Sequence, residues 1–156
     1  MSFTNLFIGG LPVLIFLYHL AALPFEFMKN LKHLLKISSC FLFSRTLKSM
    51  FKKQRNYVLK NDIFYRIRVI MSICGSKYAF PSGHTLFFTS YFFDKYTVFE
   101  MILVGLLSYS RVYYGHHTLE DVVFAVVFGS IFNFLYDYCI MKLSKLLDRR
   151  KLKKTV

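Results

Sequence analysis

From Leu6 to Phe25 the chain runs about twenty residues without a charge. A helix of that length reaches across the hydrocarbon core of a bilayer. Only helices and closed barrels satisfy their backbone polar groups there. Pro12, His19 and Pro24 interrupt the run. A signal peptide is the rival reading, but it wants positive charge ahead of the apolar stretch, and Met1 to Asn5 has none. Val122 to Met141 is a second run of similar length, in which Asn133 and Asp137 are the strongly polar residues. With 55% hydrophobic residues in a chain of 156, a soluble domain would have to bury nearly all of its apolar side chains. A membrane protein need not. The expectation is one all-α domain over residues 1–156, an integral membrane helical bundle of about four to six helices, with a basic tail over residues 142–156.

Between the two runs the pattern is weaker. Ile37 to Phe51 is broken by Ser38, Ser39, Ser44, Arg45 and Lys48, and reads as either a poor span or an amphipathic helix at the interface. Thr85–Phe93 and Thr97–Tyr114 read as helices joined by a turn at Asp94-Lys95. Arms of about 14 and 18 residues reach roughly 21 and 27 Å at the α-helical rise. The first falls short of a hydrocarbon core of about 30 Å, so the site lies below the headgroup level or the bilayer thins around it.

The net charge of +13, from 21 basic and 8 acidic residues, has three common readings: nucleic acid, an anionic lipid surface, or an anionic substrate. A background with 19 Phe disfavours nucleic acid as a partner. Lys29, Lys32 and Lys36 follow the first apolar run, and the segment Lys142 to Lys154 carries seven basic residues against Asp148. By the positive-inside rule both are cytoplasmic, the N-terminus lies outside, and His84 and His117 face the extracytoplasmic side, in a cell (inner) membrane protein. There is no Trp, so an interfacial aromatic belt relies on Tyr. Cys40, Cys74 and Cys139 are odd in number and far apart, without a Cys-x-x-Cys spacing. They read as small packed residues. The five histidines form no His-Glu-x-x-His pattern, and no metal site is expected.

Two short stretches carry the chemistry. Pro81-Ser82-Gly83-His84 stands just before an apolar run and reads as a helix start, whose free N–H groups and positive dipole end suit a phosphate. The second stretch is Ser110-Arg111-Val-Tyr-Tyr-Gly-His116-His117-Thr-Leu-Glu120-Asp121. If Thr118 onwards is helical, His117 and Asp121 are four residues apart on one face. A carboxylate there can accept from one ring nitrogen, fixing the tautomer and leaving the other nitrogen to attack. His116 points elsewhere on such a helix, and Glu120 reads as a solvated neighbour of Asp121.

These stretches resemble the second and third motifs of the type 2 phosphatidic acid phosphatase superfamily: Pro-Ser-Gly-His, and Ser-Arg, five residues, His, three residues, Asp. Both are matched in full, and the resemblance covers roughly Lys60 to Phe128. The family's first motif is Lys, six residues, then Arg-Pro. Lys60 and Arg68 have seven residues between them, Lys60 and Arg66 have five, and Ile67 and Val69 stand where proline would follow. The expectation is that Lys60 and Arg68 still hold phosphate, with local irregularity between Asn61 and Arg68. The resemblance implies His117 as nucleophile with a phosphohistidine intermediate, Asp121 orienting it, and His84 as general acid and then base. It implies Arg111, Ser82 and Gly83 as phosphate-binding, and no cofactor. It also favours a span at Ile37–Phe51, because the next segment must be outside. The implied activity is a metal-independent phosphatase on a membrane lipid phosphate or polyprenyl diphosphate. A phosphotransferase using the same intermediate, and a non-enzymatic membrane protein retaining the fold, are the alternatives. Vanadate-dependent haloperoxidases share the fold, but the transmembrane character argues against them. Membrane lipids are the surroundings, and no protein partner is inferred.

Overall fold

A computed structural model describes residues 3–54, 78–93 and 97–152. Five helices follow in order: α1 (Phe3–Ala21), α2 (Phe27–Phe51), α3 (Gly83–Phe92), α4 (Val98–Tyr113) and α5 (Leu119–Leu152). All regular structure among the described residues is helical; Gln54 and Tyr78 meet in an isolated antiparallel bridge.

The first apolar run stops being helical at Ala21. Pro24 explains this, since proline has no N–H to continue the ladder and restricts the residue before it. Ile37–Phe51 is not a segment of its own. The helix begins at Phe27 and carries Lys29, Lys32 and Lys36 within it. What holds it is a stripe of Asn30, Leu34, Ile37, Cys40, Ser44 and Leu47, buried at spacings of three and four. Those lysines spoil its apolarity rather than its helicity. Lys52, in the left-handed region at φ 49°, caps its end by donating to Lys48 O. Leu119–Leu146 is, among the described residues, the helix long and apolar enough to cross a membrane.

The ten residues of α3 form the hub, packing against each of the other four helices. Leu86 and Phe88 are wholly buried, and so are Thr85 and Thr89. Thr89 Oγ1 donates to Thr85 O at 2.9 Å and Ser90 Oγ to Leu86 O at 2.7 Å, so these hydroxyls are satisfied within the helix itself. The closest approach is between α3 and α5 at Gly129, where an added Cβ would lie 2.7 Å from Thr89 Cβ. Asn133, one turn on, is buried and donates to Phe93 O at the end of α3.

The interior mixes an apolar cluster around Leu86, Phe88, Ala125 and Phe132 with buried polar side chains such as His19, Asn30, Thr85, Thr89 and Asn133, while Leu17, Phe99, Ile102, Leu106, Val127, Phe134 and Leu135 are exposed. The burial on α4 is a narrow stripe of Val104, Ser108 and Arg111. Small and polar residues between helices with aliphatic side chains outside is the packing expected where the solvent is itself apolar.

Successive helices run up and down. At one end, His19 on α1, Asn30 on α2 and Tyr91 on α3 meet: His19 Nδ1 is 2.8 Å from Asn30 Oδ1 and Nε2 is 2.7 Å from Tyr91 OH. The His19 ring also stacks on His33 at 4.5 Å. His19 is therefore part of a packed polar knot. Tyr136 of α5 donates to Lys32 O at the same end. The other end gathers the C-termini of α2 and α4 and the N-termini of α3 and α5.

Candidate active site

The start of α3 is built by Ser82. It is the N-cap, and its Oγ accepts from Thr85 N and from Thr85 Oγ1, the latter at 3.1 Å. Serine at this position satisfies one of the four orphan amides at a helix start and leaves others pointing outward. The preceding Phe80–Pro81 peptide is cis.

The start of α5 is built by Thr118 and Asp121. Asp121 N donates to Thr118 Oγ1 at 3.3 Å and Thr118 N donates to Asp121 Oδ2 at 3.1 Å. This is a reciprocal capping box with aspartate in the place more often held by glutamate. Asp121 is thus both a cap and the partner of the histidine, and its Oδ2 stands 3.5 Å from His117 Nδ1. Both side chains are buried. A small ring rotation brings that distance to a hydrogen bond, and such contacts tighten when substrate binds.

The connection between α4 and α5 is wound tightly. Arg111 O accepts from both His116 N at 2.9 Å and His117 N at 3.1 Å. Gly115 makes the reversal possible at φ +66°, a region that side chains with a Cβ rarely adopt. The same turn buries Arg111 (3% exposed), which sits in the last turn of α4, where a cation complements the helix dipole.

One backbone bond fastens the two stretches together: Ser82 N donates to Asp121 O at 3.0 Å. Two helix N-termini, each a partial positive charge, therefore open at one place. His84 is half-buried in the first turn of α3. Among the residues read from sequence, Ser82, Gly83, His84, Arg111, His117 and Asp121 all stand at this end of the bundle. Lys60, Arg66 and Arg68, with the irregularity expected between Asn61 and Arg68, lie outside the described residues.

Two lysines at this end were not singled out by sequence. Lys48, in the last turn of α2, brings its Nζ to 3.5 Å from where a Cβ on Gly83 would stand, beside Ser44 Oγ at 3.2 Å. A signal for it exists: Lys48 and Arg55 are separated by six residues, the spacing sought at Lys60, with Asn56 in the proline's place. Arg55 itself lies outside the described residues. Lys53, one of a run of basic residues that begins at Lys52, donates to Asp121 Oδ1 at 3.0 Å and to Glu120 Oε2 at 2.6 Å, and lies 5.5 Å over the Phe80 ring. Glu120 is accordingly an ion-pair partner and not only a solvated neighbour. That hydrogen bond to Glu120 holds the Lys53 ammonium above the ordinary lysine value. No group of three or more His, Cys, Asp or Glu side chains that could hold a metal occurs among the described residues.

The chain is 33% identical over 78 residues to a lipid A 4′-phosphatase of Porphyromonas gingivalis, a stretch covering 45% of this chain and 33% of that protein. The match thus spans about a third of the relative's length. No protein-family profile matches the chain, and no solved structure does. Among the described residues the regular structure is all helical and one helix is long and apolar enough to cross a membrane, and the chain has a distant likeness to a lipid phosphatase.

Proposed function

We propose that this protein is a membrane-embedded phosphatase that removes phosphate from a lipid, with His117 as nucleophile. The observation that carries the reading is the Ser82–Asp121 backbone bond, which joins a helix start fit for an anion to an oriented, buried His117–Asp121 pair. The many exposed aliphatic and aromatic side chains, with polar groups buried between the helices, support the membrane setting, and the likeness to a lipid A 4′-phosphatase supports a lipid phosphate as the substrate class. Among lipid phosphates, a lipid A-type phosphomonoester is the first to test.

The chemistry runs in two displacements. His117 Nε2 attacks phosphorus while its Nδ1–H is held toward Asp121, and a bond forms from nitrogen to phosphorus as the ester oxygen departs. His84 gives that oxygen its proton, so the lipid leaves as a neutral alcohol. His84, now a base, takes a proton from water. The hydroxide oxygen displaces His117 from phosphorus, releasing inorganic phosphate and restoring the imidazole. The equatorial oxygens carry charge throughout, and Arg111, Lys48 and the amides at the start of α3 are the donors at hand. Lys29, Lys32 and Lys36 lie toward the opposite end of α2 from Lys48. Under the positive-inside rule this gives the site an extracytoplasmic face.

The test is phosphate release from a panel of lipid phosphates, including lipid A, phosphatidate and a polyprenyl diphosphate, by purified protein with and without chelator. Release by the wild type is expected, together with loss on the order of a thousandfold or more for His117→Ala. A loss of only a few-fold in a variant that still elutes as folded protein removes His117 as nucleophile.

A further inference from the structure

Resting on the phosphatase reading, we infer that Lys53 is a positioning residue for the nucleophile, acting through Asp121. The carboxylate of Asp121 is divided between two tasks. Its Oδ2 takes the Thr118 amide at 3.1 Å and faces His117 Nδ1 at 3.5 Å, while its Oδ1 takes the Lys53 ammonium at 3.0 Å. A carboxylate anchored at one oxygen cannot rotate freely about its Cβ–Cγ bond, so the oxygen presented to the imidazole stays in place.

Lys53 is itself held from two directions. Its carbonyl accepts from Ala79 N at 2.8 Å, next to the bridge between Gln54 and Tyr78. Its ammonium is shared with Glu120 at 2.6 Å and lies over the Phe80 ring at 5.5 Å. The end of α2, the strand-like entry to Pro81 and the start of α5 are thereby locked around one cation. Lys53 is partly exposed, with 35% of its side chain accessible, whereas Asp121 is at 2%. The pair thus spans the edge of the site, its anionic member inside.

The second effect is electrostatic. A full negative charge beside His117 favours imidazolium, which has no lone pair for attack. A cation on the far oxygen offsets part of that charge and keeps the ring neutral to lower pH. Among the described residues, the other charged or titratable groups at this end of the bundle include Glu120 on α5, Arg111 on α4, His84 on α3, the adjacent His116, Lys52 after α2, and Lys48 near Gly83. Of these, Glu120 is the one that also pairs with Lys53, and so it serves as the control.

The experiment compares Lys53→Met, Lys53→Arg and Glu120→Gln with the wild type by two readouts. One is the pH profile of kcat and kcat/KM on the best lipid phosphate of the panel. The other is titration of the histidine rings by NMR in nanodiscs, with His117 assigned from His117→Gln. For Lys53→Met the acid limb of kcat/KM and the His117 ring titration are both expected to move up, by about one pH unit. A fall in kcat of about tenfold or more is expected with KM little changed, because the interaction acts on the nucleophile and not on substrate. Lys53→Arg should restore most of both. Glu120→Gln should shift the titration far less. An unmoved His117 titration in a folded Lys53→Met protein overturns the positioning role, whatever the activity. A wild type inactive on the whole panel overturns the phosphatase reading instead, and the NMR titration still decides the link from Lys53 to His117. If Lys53→Met does not fold, Lys53→Gln, which keeps one donor for Asp121 without the charge, carries the same comparison.

Discussion

At the scale of single residues the site is a place where few side chains have only one task. Asp121 caps α5, faces His117 and receives Lys53. Ser82 caps α3 with its hydroxyl and holds α5 with its amide. Lys48, in the last turn of α2, brings its ammonium close to Gly83 at the start of α3. Lys48→Ala is expected to raise KM and lower kcat together, each by about tenfold, since substrate and transition state both carry the phosphate charge. Steady-state kinetics on detergent-solubilised lipid phosphate read this directly. A change in neither parameter would mean that the ammonium does not reach the substrate. The four-residue spacing of His117 and Asp121 pointed to their approach, although His117 stands just ahead of the Thr118 cap and is placed by the turn and the capping box and not by the helix itself. Nothing comparable pointed to Lys53. Its partner is 68 positions away, and nothing in a run of basic residues marks which one turns inward.

At the scale of elements, α3 and α5 decide the geometry. Gly129 lets α5 come so near α3 that a methyl group would overlap Thr89 Cβ and also lie 3.1 Å from Leu86 O. Backbone on one side and a side chain pinned by its own hydrogen bond on the other leave little room to yield. Gly129→Ala is expected to destabilise the protein by about 1–3 kcal/mol as an overpacking change. It should also lower activity, because α5 carries His117 and Asp121 at its start. Thermal unfolding in detergent, followed beside activity, checks both; unchanged stability would show that the helices separate without cost. The helices themselves were largely readable, with α3 and α4 found within two residues at each end. The start of α2 was not, because lysines at positions 29, 32 and 36 make an apolar count fail where a helical stripe continues.

At the scale of the whole molecule, polarity is the main argument. Exposed Phe, Leu and Ile cover helices whose facing sides hold Thr, Ser, Asn and His among the apolar residues of the core. The alternation of helix direction brings the starts of α3 and α5 to one end and the lysines of early α2 to the other. Cysteines introduced singly at the exposed Tyr113 and at Lys145, in a background lacking Cys40, Cys74 and Cys139, should label from opposite sides of sealed vesicles. Tyr113→Cys should react from the extracytoplasmic side. Labelling of both from one side would overturn the topology proposed above. The sequence foretold an all-helical bundle from its apolar runs, but it gave no hint that the shortest helix lies at the centre. Burial on all sides is a property of the assembled chain, and the ten residues of α3 look locally like any other apolar segment.

The central place of that short helix has a consequence for biosynthesis. Thr85 and Thr89 are sheltered partly by α1 and α2, which precede them, but the groove that Gly129 opens for Thr89 leaves the ribosome some forty residues later. At about 5–20 residues per second, α3 waits several seconds without its main neighbour. It is about 15 Å long at the α-helical rise, too short to rest across a bilayer alone. During that interval the nascent chain holds one half of its site with nothing to dock against. The docking of α4 and α5 is thus the event that brings the His117–Asp121 pair to the start of α3 and completes the proposed site.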